Sequence, residues 1–274
     1  VVVFLVLAYA LQFVTFLVLL PFGLLVGAVL GVFVGGAVAT AIAIRIYRFG
    51  SLSDIGLRWH AGAWRHSWKG FALGAVAAVA VTGLPVLAGV AYFAPSPEYP
   101  FSWSGLLLVG ILLLFGALGE ELIFRGYPFQ MLAGRYGIYQ ILLPSAVLFA
   151  AAHSGNLDSS PVSLFNTFLW GVILGYALLR SGDLWFPTGI HFGWNFTLPL
   201  FGVNLSGFRM GLTGYKLEWR LSDLWSGGGY GPEAGLLTLL AAVLVFVAVH
   251  RLPLERQLLP LLPEVVESTE EPAE

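Results

Sequence analysis

Glu120, Glu121 and Arg125 lie inside the apolar stretch 105–132, where a helix surrounded by lipid is expected to carry no charge. A charge at the bilayer centre costs roughly 2.5–3.5 kcal/mol even on the mildest insertion scale, so three within six positions imply partners and a purpose. On a helix Glu121 and Arg125 are four apart and share a face, which predicts an ion pair. Glu120 is rotated by about 100° from Glu121 and has no partner in its own helix. Other segments offer few candidates. Of five histidines, His60 and His66 fall in a basic segment and His250 at the last membrane edge, where each is expected to be solvated. His153 and His191 fall in apolar stretches, with Phe149 one turn before the first and Asn195 one turn after the second. Two histidines, an amide and an unpaired carboxylate on separate helices point to one shared site.

The chemistry open to that set is hydrolysis. A glutamate in a poorly hydrated pocket can act as a general base on water, and a neighbouring histidine can share the proton. A second histidine and an amide suit an oxyanion forming at a carbonyl. Alternatively, Glu120, His153 and His191 form a three-ligand set for a catalytic Zn2+ that leaves its fourth position to water. Either assembly cleaves an acyl bond. No HExxH motif is present, so a zinc protease with both histidines on one helix does not apply. Ser145 and Ser154 have no GxSxG context. Cysteine is absent, which excludes thiol nucleophiles, disulfides and cysteine ligands.

The elements that must position these residues are membrane helices. The 274 residues are 58% hydrophobic and 10% charged, against about 25% charged in soluble domains, and the mean hydropathy is +0.86. The fold class is therefore all-α, a polytopic membrane helix bundle. A spanning helix needs about 20 apolar residues, and eight stretches qualify: 2–20, 23–44, 71–94, 105–132, 138–153, 161–180, 184–203 and 233–250, the fifth being short. The first lacks the basic region and cleavage site of a signal peptide and is expected to be retained. On ideal helices Glu120, His153 and His191 lie about 18, 22 and 11 Å from the same membrane face, so tilts and proline kinks must bring them level.

Arg45, Arg48, Arg58, Arg65, Lys69, Arg135, Arg180, Arg251 and Arg256 fall on one side of an eight-span topology, and Arg209, Lys216 and Arg220 on the other. The positive-inside rule then puts both termini in the cytoplasm, in the plasma (inner) membrane. Residues 51–69 read as a helix lying at the headgroups, with Arg58, Arg65 and Lys69 beside Trp64 and Trp68. Gly23, Gly27, Gly31 and Gly35 make a stripe for close helix packing, as do Gly171 and Gly175. Pro85, Pro144, Pro187 and Pro199 are expected to kink spans or free carbonyls. Gly227, Gly228, Gly229 and Gly231 read as a flexible exit from the outer loop, and Pro232 as the opening of the last helix. The organisation expected is an N-terminal hairpin (1–50), a catalytic core (51–203), an outer loop with the last helix (204–250) and a disordered cytoplasmic tail (251–274) that is acidic from Glu264 to Glu274.

These residues carry a resemblance. Glu120-Glu121-x-x-x-Arg125 followed by Gly126-Tyr127, then Phe149-x-x-x-His153, then His191-x-x-x-Asn195 resembles the three signature motifs of the CPBP family, the intramembrane CAAX prenyl proteases and bacteriocin-processing enzymes also called the Abi family. The run Gly171-Val172-Ile173-Leu174-Gly175-Tyr176, through Leu184-Trp185-Phe186-Pro187 to His191, is similar to that family's approach to its third motif. The resemblance spans residues 50–200. It implies an eight-helix bundle whose site opens towards the membrane or cytoplasm and cleaves peptide bonds. It also implies that Glu120 and His153 activate water and that His191 and Asn195 stabilise the oxyanion, with Glu121, Arg125 and Phe149 in support. The family is described both as metalloproteases and as glutamate-dependent enzymes, so Zn2+ stays open as a cofactor. The implied partners are the lipid bilayer and a membrane-associated or prenylated peptide, and no nucleic acid. Two readings of other classes compete: a transporter with a proton or ion path through the buried charges, and a non-catalytic bacteriocin-immunity protein. The first would show related halves with matching broken helices, and no internal repeat beyond the glycine spacing is present.

Overall fold

The structure is a computed structural model that describes residues 1–47 and 51–262; Arg48 and the acidic tail 264–274 lie outside the described residues. It is a helical membrane bundle: α1 Val2–Leu19, α2 Leu24–Tyr47, α3 Ala63–Leu87, α4 Trp103–Phe124, α5 Tyr127–Tyr136, α6 Ile138–Ala152, α7 Pro161–Ser181, α8 Trp185–Leu200, the single turn α9 Asp223–Ser226, and α10 Leu236–Arg251. Two five-residue strands, β1 Ala91–Pro95 and β2 Tyr215–Trp219, pair antiparallel in the loops at one end. Among the described residues five segments are long and apolar enough to cross a membrane: Val2–Phe22, Leu24–Ile46, Ala63–Leu87, Trp103–Tyr136 and Pro161–Ser181. α6 and α10 are shorter apolar helices and α8 has 16 residues, so eight full crossings do not follow from helix length.

The long stretch 105–132 breaks into α4 and α5, and the reason is local. Pro128 has no N–H to give the carbonyl of Phe124, four residues back, so the helix cannot run through. That carbonyl instead accepts from Ser145 Oγ on α6 at 3.0 Å. In lipid a freed carbonyl needs such a partner, and Ser145, weighed above as a nucleophile, holds the break together.

Four further expectations are corrected. Residues 51–69 are not one interfacial helix. Ser51 and Asp54 close a capping box around the 3-10 turn Leu52–Ile55, Gly56 reverses the chain at φ 88°, and Arg65, Trp68 and Lys69 belong to the first turns of α3. The third span accordingly starts earlier than residue 71 and ends at Leu87, ahead of β1. Pro232 opens the 3-10 turn Pro232–Ala234 rather than α10. The glycines before it are not slack either: a Cβ on Gly231 would strike the carbonyl of Asn204 and one on Gly227 the carbonyl of Gly231, so they are points of backbone contact.

Backbone contact also sets the helix pairs. A Cβ on Gly27, Gly31 or Gly35 would press on the carbonyls of Phe16, Gln12 and Ala8, so the expected stripe on α2 seats α1. A second pair of stripes is reciprocal. Cβ atoms on Gly70 and Gly74 of α3 would strike the carbonyls of Phe186 and Ile190, and those on Gly189 and Gly193 of α8 the carbonyls of Ser67 and Phe71. α8, which carries His191 and Asn195, is thereby held against α3 with no side chain between them.

Candidate active site

Three helices bring the motif residues together. Glu120 sits on α4, His153 caps the C-terminus of α6, and His191 and Asn195 lie one turn apart on α8. Glu120 Oε2 is 3.8 Å from His153 Nε2 and 3.7 Å from His191 Nε2. Both separations are too long for direct hydrogen bonds and of a length that a bridging water spans. Glu120 Oε2 is buried and has no hydrogen-bond partner.

The outer nitrogens of the two imidazoles settle their tautomers. His153 Nδ1 is 2.8 Å from the carbonyl of Phe149, which can only accept, so Nδ1 carries the proton and Nε2 presents a lone pair towards Glu120. His191 Nδ1 is 3.0 Å from Glu121 Oε1 and donates to that carboxylate, so Nε2 faces Glu120 here as well. As a neutral ring this nitrogen accepts; as an imidazolium it donates.

Glu121 and Arg125 form the expected pair, with Nη1 3.2 Å from Oε1 and both side chains fully buried. Arg125 Nη2 also donates to the carbonyl of Gly171 at 3.1 Å, and its guanidinium lies 4.2 Å from the centre of the Phe149 ring. Phe149 therefore fixes two things at once: its ring carries Arg125 and its carbonyl orients His153.

The donor set of Glu120, His153 and His191 fits Zn2+ in its chemistry, with each imidazole's outer N–H held by an acceptor as metal-ligating histidines require. It is not the most compact such set. Among the described residues the one group of three whose ligand atoms all lie within 4.8 Å of one another is His60, His66 and Asp183. This overturns the expectation that His60 and His66 are solvated: His66 is 2% exposed, and both rings meet Asp183 Oδ2, at 2.9 Å from His60 Nε2 and 2.5 Å from His66 Nδ1. The N–H of Gly62 donates to His60 Nδ1 at 3.1 Å, so the His60 proton sits on Nε2 and points at the carboxylate. Such wiring makes a hydrogen-bonded clamp, not a ligand set. Asp183 Oδ1 meanwhile accepts from the N–H groups of Trp185 and Phe186, capping α8. His250 stays exposed and pairs with Tyr176 Oη at 2.8 Å.

The motif residues line a cavity of about 460 Å³. Much of the lining is apolar, with Ala8 of α1, Leu25, Ala28, Val29 and Val32 of α2, and Leu113 and Ile123 of α4, and α1 adds Tyr9 and Gln12. Another part of the lining carries polar groups, and sequence reasoning did not find it: Asn166, Thr167 and Trp170 on α7, Trp194 on α8, and Ser206 and Glu233 from the long loop. Glu233 accepts from Trp194 Nε1 at 3.2 Å and from the N–H and Oγ of Ser206 at 2.5 and 2.8 Å. Burial pushes its carboxyl above the ordinary range, and these donors pull the other way. Asn166 carried a usable signal: it is an amide in the middle of an apolar span, open to the same reasoning that singled out Glu120.

Residues 101–197, which contain all three motifs, match the model of a family described as type II CAAX prenyl endopeptidase Rce1-like. An uncharacterized 24.3 kDa protein of Escherichia coli is 29% identical over 145 residues, 52% of this chain and 62% of that relative. No solved structure matches.

Proposed function

We propose, from the match of residues 101–197 to the model of a family described as type II CAAX prenyl endopeptidase Rce1-like, that this protein is an intramembrane endopeptidase acting on membrane-associated or lipidated peptides. The observation that carries the reading is the unpartnered Glu120 Oε2 between two imidazole nitrogens at 3.7 and 3.8 Å. A water held there gives its proton to Glu120, in exchange with His153 Nε2, and attacks the scissile carbonyl. His191, as the imidazolium whose Nδ1–H is held by Glu121, and the Asn195 amide donate to the oxyanion. Collapse breaks the C–N bond, and the proton taken from water passes to the leaving amine, which leaves a carboxylic acid and an amine. Bound Zn2+, held by Glu120, His153 and His191, would supply Lewis-acid activation of the same water.

The apolar lining suits an acyl or prenyl chain beside a peptide, which supports a lipidated substrate. Cytoplasmic termini agree with the positive-inside pattern, and with the plasma membrane as location they belong to the same proposal. Glu120→Gln is expected to abolish cleavage of a quenched fluorogenic farnesylated CAAX peptide while the protein keeps its thermal unfolding profile. Turnover within tenfold of the unsubstituted protein would sink the assignment of Glu120 as the base.

A further inference from the structure

Resting on the endopeptidase reading, we propose that Asn166 and Trp170 form a docking rail for the backbone of an extended peptide, where α7 lines the cavity. Both side chains are buried, at 1% and 7% exposure, and both line the cavity that holds Glu120 and His153. Each presents one polar atom with no partner: Asn166 Oδ1 and Trp170 Nε1. A buried polar group left unpaired costs on the order of 1–3 kcal/mol, and two on one cavity wall are explained by a ligand that completes them.

The orientation of the amide is not arbitrary. Asn166 Nδ2 is 2.8 Å from the carbonyl of Glu233 and 3.0 Å from that of Gly235, and carbonyls only accept. The NH2 group must face them, so Oδ1 is the acceptor left without a hydrogen-bond partner. Trp170 packs on Trp194 with ring centres 4.7 Å apart, and the Trp194 N–H is already taken by Glu233. The Trp170 N–H is the one left over.

An acceptor and a donor together match the two groups of a peptide backbone. Asn166 and Trp170 are four apart on α7, on one face and about 6 Å apart along the axis. An extended chain carries N–H and C=O groups alternately along one edge, the pair repeating every two residues, about 6.6 Å, so a stretch of edge the length of the Asn166–Trp170 spacing offers both kinds. A substrate strand along α7 can therefore give an N–H to Asn166 Oδ1 and a C=O to Trp170 Nε1 whatever its side chains are. The rail fixes position and leaves selection among side chains to the rest of the cavity.

The test uses the full chain in nanodiscs with Glu120→Gln, and reads binding of a fluorescein-labelled farnesylated CAAX peptide by anisotropy, so that it does not depend on turnover. Trp170→Phe removes the donor and keeps an aromatic ring; the dissociation constant is expected to rise about three- to tenfold. A series of peptides in which each backbone amide of the last four residues is replaced in turn by an ester removes one N–H at a time without altering the protein. One position is expected to bind about three- to tenfold more weakly than the others. An unchanged constant in Trp170→Phe, a uniform ester series or the absence of saturable binding each overturns the rail. The role of Glu120 is decided separately, by turnover alone.

Discussion

Glu120 and Glu121 are neighbours in the chain with opposite surroundings. Glu121 is fully buried, and its Oε1 receives both Arg125 and His191. Glu120 is partly open to the cavity and has a bare Oε2. The division of labour was legible from spacing, since residues four apart share a helix face and residues one apart do not. The link from Glu121 to His191 was not legible, because it joins α4 to α8. A prediction belongs to this pair. Arg125→Met leaves the buried Glu121 carboxylate without its guanidinium partner, with only His191 still bonded to it, and also removes the bond to Gly171, so stability should fall by about 3–5 kcal/mol. Thermal unfolding in detergent would show it as a large drop in Tm, in contrast to the unchanged profile expected of Glu120→Gln. An Arg125→Met protein as stable as the parent would show that the pair does not hold the bundle.

At the scale of elements, the site depends on α8 lying in the right place, and α3 puts it there. The reciprocal glycines bring the two backbones into contact, so an added methyl group at Gly74 must push α8 away from the carbonyl of Ile190, one residue before His191. Gly83 is on the same helix, but a Cβ there meets only Val79 at 3.8 Å. Gly74→Ala is therefore expected to lower kcat on the order of 10²-fold, as a misplacement of about 1 Å does, and Gly83→Ala to leave it within twofold. Equal effects of the two on the fluorogenic assay would count against α3 as the element that positions His191. The stripe on α2 was readable from its four-residue glycine spacing. The pairs at 70 and 74 and at 189 and 193 have that same spacing, but two glycines inside mixed sequence do not reveal which helix lies opposite. The break between α4 and α5 was written in Pro128, yet the apolar run on both sides concealed it. The clamp of His60, His66 and Asp183 joins residues more than a hundred positions apart, and local polarity pointed to solvent instead.

At the scale of the whole molecule, the loops sort to two ends. Arg65 pairs with Glu255, and the N–H of Gln257 meets the carbonyl of Ser181, which gathers 51–62, 181–184 and 252–262 at one end. Arg209 pairs with Glu98, and β1 pairs with β2 at the other. Because the chain has no cysteine, single introduced cysteines report sidedness without background. Trp59→Cys and Gln257→Cys are expected to be labelled by a membrane-impermeant maleimide only after the cells are opened, and Tyr92→Cys and Lys216→Cys in intact cells. The reverse pattern would invert the orientation, and labelling of all four from one side would refute two opposed ends.

The hairpin of α1 and α2 forms one side of the cavity, and it seats on itself through glycine-to-carbonyl contacts while much of α1 faces outward. On the proposed function, a wall of this kind stands between Glu120, His153 and His191 and the lipid. A peptide that arrives through it has already dissolved in the bilayer, so the concentration that governs its capture is molecules per lipid rather than molecules per litre. Its lipid tail then acts less as a feature to be recognised than as the means by which a dilute chain becomes a concentrated one.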